Sequence, residues 1–550
     1  MEQARLLLAI VLSFLVFFIW SVFFTEKPNP VENEAVKTSA QENIQDSHQE
    51  KIEKTDLSEI QQKDNTSIIN NVDFRTITIK NNLYVASISE KGAVFTSLLL
   101  KNYREKVEKD SKLKQLIFGK ADRTLDLSFE RKSFTNLETA YFQSDLTYDE
   151  VKIFDEKHVI SFRWTSPSGL IIEKRYSFYP DSYLIDLDII VKNGTDRSFS
   201  DSLVLSLNKD SPHKKNAYGF EGPSGLINNK LERIKIKKIE DKNSFSGKIE
   251  WIALEGRYFI STIIPISEEN SRMKLSLLNN EVVKSSLLSE PDVIESGNQK
   301  TFQYKLFFGP KSLEIMGKAG YKLKKAINFG MFDIIAKPCL LAMNYLYKFI
   351  PNYGLSIILI TILIKIILWP LGSKSYKSMS EMKKLQPLMT ELREKHKGDK
   401  ATMNKELMGL YKTYKINPLG GCLPMILQIP VFFALYRMLY QAIELRHAPF
   451  VFWINDLSAP DRLFNFDFSI PFMQPPIGIP VLTIIMGGTM FLQQKMSPPP
   501  GDPAQAKMMM FMPIIFTFIF INFSSGLVLY WLINNILSIS QQYYIQQKNA

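Results

Sequence analysis

The chain has 550 residues and a formal net charge of +11, from 67 Lys and Arg against 56 Asp and Glu. It contains 38 Phe, 22 Tyr and 6 Trp, which is enough aromatic surface for large cores and excludes disorder throughout. With only two cysteines, a disulfide scaffold is excluded as well. The length allows roughly two to four domains.

The chain opens with an uncharged apolar segment over residues 6–24. As a helix this segment would be about 28 Å long, close to the thickness of the bilayer core. A cleaved signal peptide has a shorter apolar region and small residues at its exit, whereas Phe23 and Phe24 stand here. We therefore predict an uncleaved transmembrane anchor over residues 1–25. Residues 26–71 are rich in Glu, Gln, Asn, Lys and Ser, which predicts a flexible linker outside the membrane.

From residue 72 the pattern changes to short alternating segments separated by turn residues. Alternation is clear over residues 76–79 and 159–164, and a Ser-Pro-Ser-Gly turn follows at 166–169. Short strands at regular spacing are typical of an antiparallel sandwich. We predict a large β-sandwich, or supersandwich, over residues 72–310. A sandwich of this size could bind a carbohydrate or a peptide, or serve as a scaffold that contacts partners.

Residues 311–350 predict a connecting segment that includes an amphipathic helix. Between residues 329 and 350 the polar side chains fall on one helical face. These polar residues are Asp333, Lys337, Asn344 and Lys348. An amphipathic helix directly before an apolar span is typical of a helix in the membrane interface, and a soluble core helix is the alternative.

Five further apolar segments follow. They cover residues 354–371, 420–443, 477–492, 508–523 and 527–539. Together with the anchor they predict six transmembrane helices, five of them in a core over residues 351–545. The predicted fold class is therefore a multi-pass α-helical membrane protein with a large antiparallel β-sandwich domain outside the membrane.

The charges of the loops predict the orientation of these spans. Residues 372–418 carry 11 Lys and Arg against 5 Asp and Glu, whereas residues 441–470 carry 2 against 4. By the positive-inside rule the first loop is cytoplasmic and the second is outside. Both termini are then cytoplasmic and the β domain lies outside. The basic total reflects membrane topology and not nucleic-acid binding.

One charged residue, Lys365, interrupts the second predicted span. A lysine at the centre of a span costs about 2.5–3.5 kcal/mol even on the lenient insertion scale. Lys365 either extends its ammonium to the cytoplasmic surface, about 7 Å away, or faces a wet cavity open to the cytoplasm. Thr361 lies one turn earlier on the same face.

Polar residues in other predicted spans favour the cavity, with hydrogen bonding between helices as the alternative. They are Gln428 in the third span and Tyr530, Trp531, Asn534, Asn535 and Ser538 in the sixth. The second to sixth spans contain no Asp or Glu, so Lys365 has no acidic partner within them. We expect such a cation to attract an acidic or polar guest.

The cytoplasmic segment 372–418 predicts a helical hairpin that turns at Gly398 and Asp399. Each helix has a stripe of Met and Leu and a basic face. The stripe either fills the core of the hairpin or adapts to apolar partners. The basic face is suited to lipid headgroups, ribosomal RNA or acidic proteins.

The sequence contains no motif for catalysis. Its five histidines are dispersed, and it has no P-loop, no dinucleotide glycine fingerprint and no His-Glu-x-x-His. We therefore predict no enzyme activity, no metal site and no cofactor.

Several long motifs resemble the signature of the YidC/Oxa/Alb family of membrane protein insertases. They read NPLGGCLPMILQIPVFFALY from residue 417, ELRHAPF from 444, WINDLS from 453, QKMSP from 494 and SGLVLYW from 525. With the anchor and the β domain, the resemblance is to the long Gram-negative form and covers nearly the whole chain.

The resemblance implies an insertase or chaperone of the bacterial inner membrane that acts alone or with the Sec translocon, without nucleotide hydrolysis. In this family a hydrophilic groove opens to the cytoplasm and the lipid and is closed to the periplasm, where the β domain lies. The implied partners are nascent integral membrane proteins, the Sec translocon, membrane lipids, and the ribosome or signal-recognition-particle pathway through the hairpin.

The resemblance also assigns residues to the groove. Its cation, usually Arg, matches Lys365, and the neighbour of that cation one turn earlier matches Thr361. The aromatic residue that follows Leu-Tyr in the sixth span matches Trp531. The predicted groove also includes Gln428, Tyr530 and Asn534. The third and fifth spans would form an apolar slide for the incoming helix, with Met425, Phe433, Met512 and Phe516. Lys keeps the positive charge but loses the planar fork of Arg. A structural envelope-assembly scaffold without insertase activity is the alternative function.

Overall fold

The structure is a computed structural model of the chain. It describes residues 74–117, 123–134, 136–211, 219–266, 270–279, 281–396, 398–414, 423–497 and 503–548. The predictions of an anchor over residues 1–25 and a linker over residues 26–71 lie outside the described residues.

The first part of the described chain is built of strands. In chain order they are β1 Thr76–Asn81, β2 Tyr84–Ser89, β3 Val94–Arg104, β4 Leu113–Ile117, β5 Asp126–Phe129, β6 Gln143–Ser144, β7 Glu150–Ile153, β8 His158–Thr165, β9 Leu170–Phe178, β10 Leu184–Asn193, β11 Phe199–Asp201, β12 Leu203–Asp210, β13 Gly222–Ile227, β14 Lys230–Arg233, β15 Ser244–Gly247, β16 Ile249–Glu255, β17 Phe259–Pro265, β18 Ser271–Leu278, β19 Val282–Leu288, β20 Asp292–Ile294 and β21 Gln299–Pro310. Two more strands, β22 Leu463–Phe466 and β23 Ile477–Ile479, pair with each other far from this domain in sequence.

Three large sheets make up the β domain. A nine-stranded sheet has the order β14-β13-β16-β17-β21-β10-β9-β8-β6. Two five-stranded sheets, β4-β3-β2-β1-β7 and β15-β18-β19-β12-β5, pack against it through apolar side chains. The pairing is antiparallel as predicted, except that β1 pairs in parallel with β7. The β-rich domain expected from the alternating pattern is therefore present.

Alternation of side chains explains how the sheets share one core. In β9 and β10 the residues facing the core, such as Ile172 and Leu187, are fully buried, and their sequence neighbours are partly exposed. Because successive side chains of a strand point to opposite faces, one face of the long sheet becomes apolar. The aromatic ring of Phe95 from β3 packs on Tyr176 at a centroid distance of 5.5 Å and joins two of the sheets.

Helices make up most of the chain after the β domain. They are α1 Leu313–Ala319, α2 Asp333–Phe349, α3 Tyr353–Lys384, α4 Gln386–Lys395, α5 Lys400–Thr413, α6 Leu423–Gln441, α7 Val481–Met496, α8 Pro503–Phe520 and α9 Ser525–Lys548. A helix therefore stands at each of the five apolar segments predicted as spans in this region.

One helix among the described residues, α3, is both long and apolar enough to cross a membrane, and a shorter apolar stretch covers Met509–Phe520 of α8. At 1.5 Å per residue α3 is about 48 Å long. The count of six transmembrane helices therefore stays a prediction.

Helix α3 continues well beyond the predicted end of the span at residue 371. Its terminal turns form the start of the hairpin that was predicted to be cytoplasmic, and the helix ends only at Leu385, before Pro387 at the start of α4. Proline is tolerated in the first turn of a helix, whereas in a helix interior, as at Pro370 of α3, it removes one backbone hydrogen bond. Leu385 and Met389 are buried against Leu407 and Tyr411, so part of the Met and Leu stripe fills the core of the hairpin.

Helix α2 has the amphipathic pattern expected of residues 329–350. Asp333 and Lys337 form an ion pair of 2.6 Å along one side. Leu340 and Met343 are buried, and α2 packs on α6 and α3. Large apolar side chains including Ile334 remain exposed on the other side. An exposed apolar side is compatible with a helix in the membrane interface, which stays a prediction.

Contacts place the β domain and the hairpin at opposite ends of α3. The amide of Asn352, at the start of α3, donates to the carbonyl of Phe450 in the α6–α7 connection. In the same connection the guanidinium of Arg446 donates to the carbonyls of Arg104 and Glu105 in the β domain. The hairpin helices α4 and α5 follow the other end of α3, after Lys384.

Candidate functional site

A polar seam runs between α3 and α9 in the helical part of the chain. Helix α9 packs along α3 and also along α7. Gly372 permits close approach, because a Cβ at this position would lie 2.9 Å from the side-chain nitrogen of Gln541. That nitrogen donates to the carbonyl of Trp369 at 3.1 Å and to the hydroxyl of Ser373 at 3.3 Å. Hydrogen bonds between polar side chains and the neighbouring helix therefore hold α9 against α3.

Lys365 lies in this seam. Its ammonium donates to the hydroxyl of Ser538 on α9 at 2.6 Å. Ser538 is buried, and its hydroxyl donates in turn to the main-chain carbonyl of Asn534 at 2.7 Å. The hydroxyl of Tyr376 also reaches Ser538. The charge on Lys365 is thus directed into the helical bundle, toward a neutral hydroxyl.

The predicted neighbour Thr361 is buried one turn before Lys365. Its hydroxyl donates to the carbonyl of Ile357 in its own helix at 2.7 Å. This is the usual way for a Thr inside a helix to satisfy its hydroxyl. Thr361 therefore lines the seam without bonding α9.

Two further predicted groove residues pair with each other between α6 and α9. Tyr530 is buried, and the side chain of Gln428 hydrogen-bonds its hydroxyl. Asn534, one turn later on the same face of α9, is partly buried. The structure therefore joins Lys365 and the Gln428–Tyr530 pair through one face of α9.

Trp531 lies on a different side of α9, in a cluster of aromatic rings. Phe432 of α6 meets its indole edge-on at a centroid distance of 4.7 Å, and Phe520 of α8 lies 5.1 Å away. The indole nitrogen of Trp531 is buried and has no hydrogen-bond partner among the described residues. Aromatic contact, not hydrogen bonding, therefore fixes this side chain.

Two of the residues predicted as the apolar slide, Phe433 and Phe516, border the same aromatic cluster. Phe516 stacks on Trp531 at 6.5 Å, and Phe433 stacks on Phe332 at 5.8 Å. Met512 is partly exposed on α8. The side chain of Met425 lies outside the described part of the chain. Two of the four slide residues are thus placed beside the groove residue Trp531 or in contact with the segment before α2.

Helix α9 has further polar residues that the sequence prediction of the groove left out, and two of them bond α7. Asn535 donates to Thr489 of α7 at 3.2 Å, and Gln542 donates to the carbonyl of Met496 at 3.0 Å. Ser538 was part of the polar stripe seen in the sequence but not of the predicted groove. Continuing that stripe in steps of three and four residues would have reached Gln541 and Gln542.

Large apolar side chains cover the outside of the helical part. Those that are exposed include Ile366 and Ile367 of α3, Ile484 and Ile485 of α7, and Ile514, Ile515 and Phe518 of α8. A water-soluble domain seldom exposes so many large apolar groups together. A polar seam between the helices and an apolar surface around them form the arrangement expected of helices in a lipid bilayer.

At one end of this bundle, α6 is attached to the β domain through Arg257. Its guanidinium lies 3.6 Å from the ring centroid of Tyr440, and its Nε donates to the carbonyl of Tyr440 at 2.8 Å. Beyond the end of α6, Glu444 is buried beside Asn344 and Ser312, and burial raises the pKa of its carboxyl. The end of α6 is therefore held by the β domain and by α2.

Comparison with protein families gives two matches that together cover most of the chain. Residues 76–342 match the family described as the YidC periplasmic domain. Residues 345–550 match the family described as 60Kd inner membrane protein. The boundary between the two matches falls within α2.

Curated relatives match over nearly their full length. The membrane protein insertase YidC of Syntrophus aciditrophicus (strain SB) is 45% identical over 477 residues, which are 86% of this chain and 85% of the relative. The YidC insertase of Geotalea uraniireducens (strain Rf4) is 38% identical over 549 residues, 99% of each chain. A solved structure of an active YidC insertase with its first transmembrane domain resolved aligns with 86% of this chain and 92% of that chain, at 17% identity and a TM-score of 0.38.

Proposed function

The chain belongs to the YidC family of membrane protein insertases, and we propose that it receives the polar tail of an incoming protein at Lys365, between α3 and α9. The observation that supports this most directly is the contact of the Lys365 ammonium with the neutral hydroxyl of Ser538. Among the described residues no carboxylate forms an ion pair with Lys365. Its charge is therefore available to carboxylates of a client.

The chain is an inner-membrane insertase with a periplasmic domain. We infer six transmembrane helices with both termini in the cytoplasm. The attachment of the β domain at the α6 end, the hairpin at the far end of α3 and the apolar outer surface support this topology. The charge of the hairpin segment, 11 Lys and Arg against 5 Asp and Glu, also favours the cytoplasm.

In this mechanism the bundle lowers the barrier to crossing for a short polar tail. Polar groups of the seam replace part of the water around the tail, and Lys365 attracts its carboxylates. The membrane potential, positive outside, then favours outward movement of acidic groups by about 2.3 kcal/mol per charge per 100 mV. The apolar segment that follows passes Phe433, Met512 and Phe516 and enters the lipid, which is favourable by roughly 25 cal/mol per Å² of apolar surface.

The partners of the hairpin and the bundle follow from the same proposal. The clients are nascent integral membrane proteins. We expect the basic surface of α4 and α5 to contact the ribosome, the signal-recognition-particle pathway or lipid headgroups, and the bundle to work alone or beside the Sec translocon. The burial of Leu385 and Met389 inside the hairpin leaves its charged face as the surface offered to these partners.

The proposal is tested by replacing the cation. Lys365→Ala should reduce insertion of clients whose translocated tails carry Asp or Glu in a depletion strain, and Lys365→Arg should restore it. Clients with uncharged tails should be affected much less. Lys348→Ala, which removes an exposed lysine from α2, is the matched control. Normal insertion of acidic-tailed clients by Lys365→Ala would show that the charge of Lys365 is not needed for insertion.

A second experiment separates the insertase from a structural scaffold. A photoreactive phenylalanine analogue at Phe433 should crosslink to a stalled nascent membrane protein while its apolar segment leaves the bundle. A scaffold would give no such crosslink at any nascent-chain length. Family membership favours the insertase.

A further inference from the structure

The connection between α6 and α7 exposes four phenylalanine rings. Phe452, Phe464, Phe468 and Phe472 are 89%, 67%, 60% and 81% exposed, respectively. We call these four residues the phenylalanine platform. Exposed apolar groups in one segment of a protein usually mark a contact surface.

Three platform residues have a backbone conformation that phenylalanine rarely adopts. The φ angles of Phe452, Phe464 and Phe472 are 55°, 58° and 67°. A bulky residue persists in this left-handed region only where the surrounding structure holds it there. The backbone conformation at these three positions is therefore held by the surrounding fold.

Three charged side chains of the same connection, those of Asp456, Asp461 and Arg462, are in contrast not exposed and bond groups of the protein. Asp456 accepts hydrogen bonds from the amides of His447 and Ser458 at 3.0 and 2.8 Å. Asp461 accepts from the indole of Trp453 at 2.6 Å and from the amide of Leu482 at 2.5 Å.

The guanidinium of Arg462 likewise donates to main-chain carbonyls, those of Pro476 and Ile521, each at 2.8 Å. Of the charged residues between positions 448 and 480, Asp467 alone is exposed. A loop in water usually exposes its charged side chains and buries its phenyl rings, which is the opposite of the arrangement in this connection.

The platform stands at the level where several helices end. The amide of Gly526, at the start of α9, donates to the carbonyl of Leu457 at 2.9 Å. The carbonyl of Ile521, just after α8, accepts from Arg462, and Asn352 at the start of α3 donates to Phe450. In a membrane protein, the ends of apolar helices mark the boundary between acyl chains and headgroups. The exposed apolar face of α8 leads directly to this level.

We propose that the phenylalanine platform is inserted among the acyl chains of the outer leaflet of the inner membrane and anchors the connection between α6 and α7 there. Arg446 at the base of the connection bonds the periplasmic β domain, which assigns the platform to the periplasmic side. The anchor would set the depth of α6 and α7 in the bilayer. The proposal goes beyond insertion at Lys365 and does not depend on it.

The test uses the full chain with Cys339 and Cys422 replaced by Ser. A nitroxide is attached to Phe452→Cys or Phe472→Cys, and the protein is reconstituted in vesicles of phosphatidylethanolamine and phosphatidylglycerol. Power saturation should show that both labels collide more often with oxygen than with a water-soluble nickel chelate. A label at Glu295→Cys, exposed in the β domain, is the control and should show the opposite order.

Higher access to the nickel chelate at both platform positions would overturn the proposal. If the platform labels are shielded only after purified Sec translocon is added, the surface binds a protein, and the lipid anchor is wrong. A second measurement needs no substitution: a carbene-generating probe dissolved in the bilayer should label the peptide that contains Phe464, Phe468 and Phe472. Absence of label there, with label in α8, would also overturn the proposal.

Discussion

The ion triad at the junction of the β domain and its connector gives the sharpest prediction for stability. The carboxylate of Glu255 bonds the guanidinium of Arg233 at 2.8 and 3.1 Å and the ammonium of Lys311 at 2.7 Å. Arg233 also donates to the carbonyls of Ala326 and Asn328 in the connector. We expect Glu255→Gln to destabilise the β domain and to loosen the connector that leads to α2.

The magnitude follows from burial. The side chain of Glu255 is completely buried, and those of Lys311 and Arg233 are 5% and 18% exposed. Removing one partner of a buried ion pair leaves an uncompensated charge and costs about 3–5 kcal/mol. Glu250→Gln, on the same strand, is the matched control, because Glu250 pairs with the half-exposed Lys322. A pair of this kind contributes only about 0–1 kcal/mol.

The assay is urea unfolding of the full chain in detergent, followed by tryptophan fluorescence, with hydrogen exchange of the connector measured in parallel. The midpoint of the transition that reports the β domain should fall by roughly 1 M or more in Glu255→Gln and hardly move in Glu250→Gln. Exchange should also become faster over residues 320–332.

The effect of Glu255→Gln on stability should also depend on pH, in a direction that follows from the pKa of Glu255. Burial alone would raise the pKa of Glu255, but Lys311 and Arg233 outweigh it, so the pKa of this carboxyl is lowered. The carboxylate therefore stabilises the fold above the unfolded pKa of about 4.3, and this contribution is lost as pH falls through the lower folded value. The difference in free energy of unfolding between the parent and Glu255→Gln should become smaller below pH 4. A gap under about 1 kcal/mol at pH 7, or one equal to that of Glu250→Gln, would refute the reasoning.

Three other changes test separate parts of the structure. Burial lowers the pKa of Lys174 to about 7, so between pH 7 and about 10 the unfolded chain binds more protons than the folded chain. The free energy of unfolding of the β domain should therefore rise with pH over this range, by up to about 1.4 kcal/mol per pH unit. Lys174→Met should abolish this slope in urea titrations at several pH values, and an unchanged slope would contradict the prediction. Asp461→Ala removes the acceptor for Trp453 and the start of α7, and should lower the free energy of unfolding by about 1–2 kcal/mol in thermal melts. Gly487→Val places a Cβ 2.2 Å from the hydroxyl oxygen of a threonine on α8 and should destabilise the bundle by about 1–3 kcal/mol. Gly488→Val is the control and should not destabilise the bundle, because the space around Gly488 is open. Equal melting temperatures of the two variants would contradict this prediction.

The parts of the fold that depend on local pattern were predictable from the sequence. Strands such as β9 and β10 follow alternation and turn residues, and both are local signals. The parallel pairing of β1 with β7 joins residues about 70 positions apart, and no local pattern specifies it. The length of α3 was underestimated, because the prediction ended the helix where its apolar character ended. Helix formation depends on the backbone, and α3 continues through Pro370 and ends only at Leu385.

The candidate site shows the same division. The polar stripe of α9 and the isolated charge of Lys365 were visible in the sequence. The contact of Lys365 with Ser538 was not, since it joins residues 173 positions apart and depends on which helices pack together. Thr361 was expected beside the cation and Trp531 in the groove. The structure shows a hydrogen bond of Thr361 within its own helix and places Trp531 among aromatic rings.

The choice of partner for Lys365 carries a physical argument about function. A carboxylate facing Lys365 in the bundle would satisfy its charge and would have to be displaced before any client could bind. A hydroxyl such as that of Ser538 accepts one hydrogen bond but leaves the net charge uncompensated, so an incoming carboxylate gains the full electrostatic attraction. Introducing a carboxylate by Ser538→Asp should therefore reduce insertion of acidic-tailed clients as strongly as Lys365→Ala does, although the cation is still present. Insertion at the parent level by Ser538→Asp would show that the free charge of Lys365 is not what clients use.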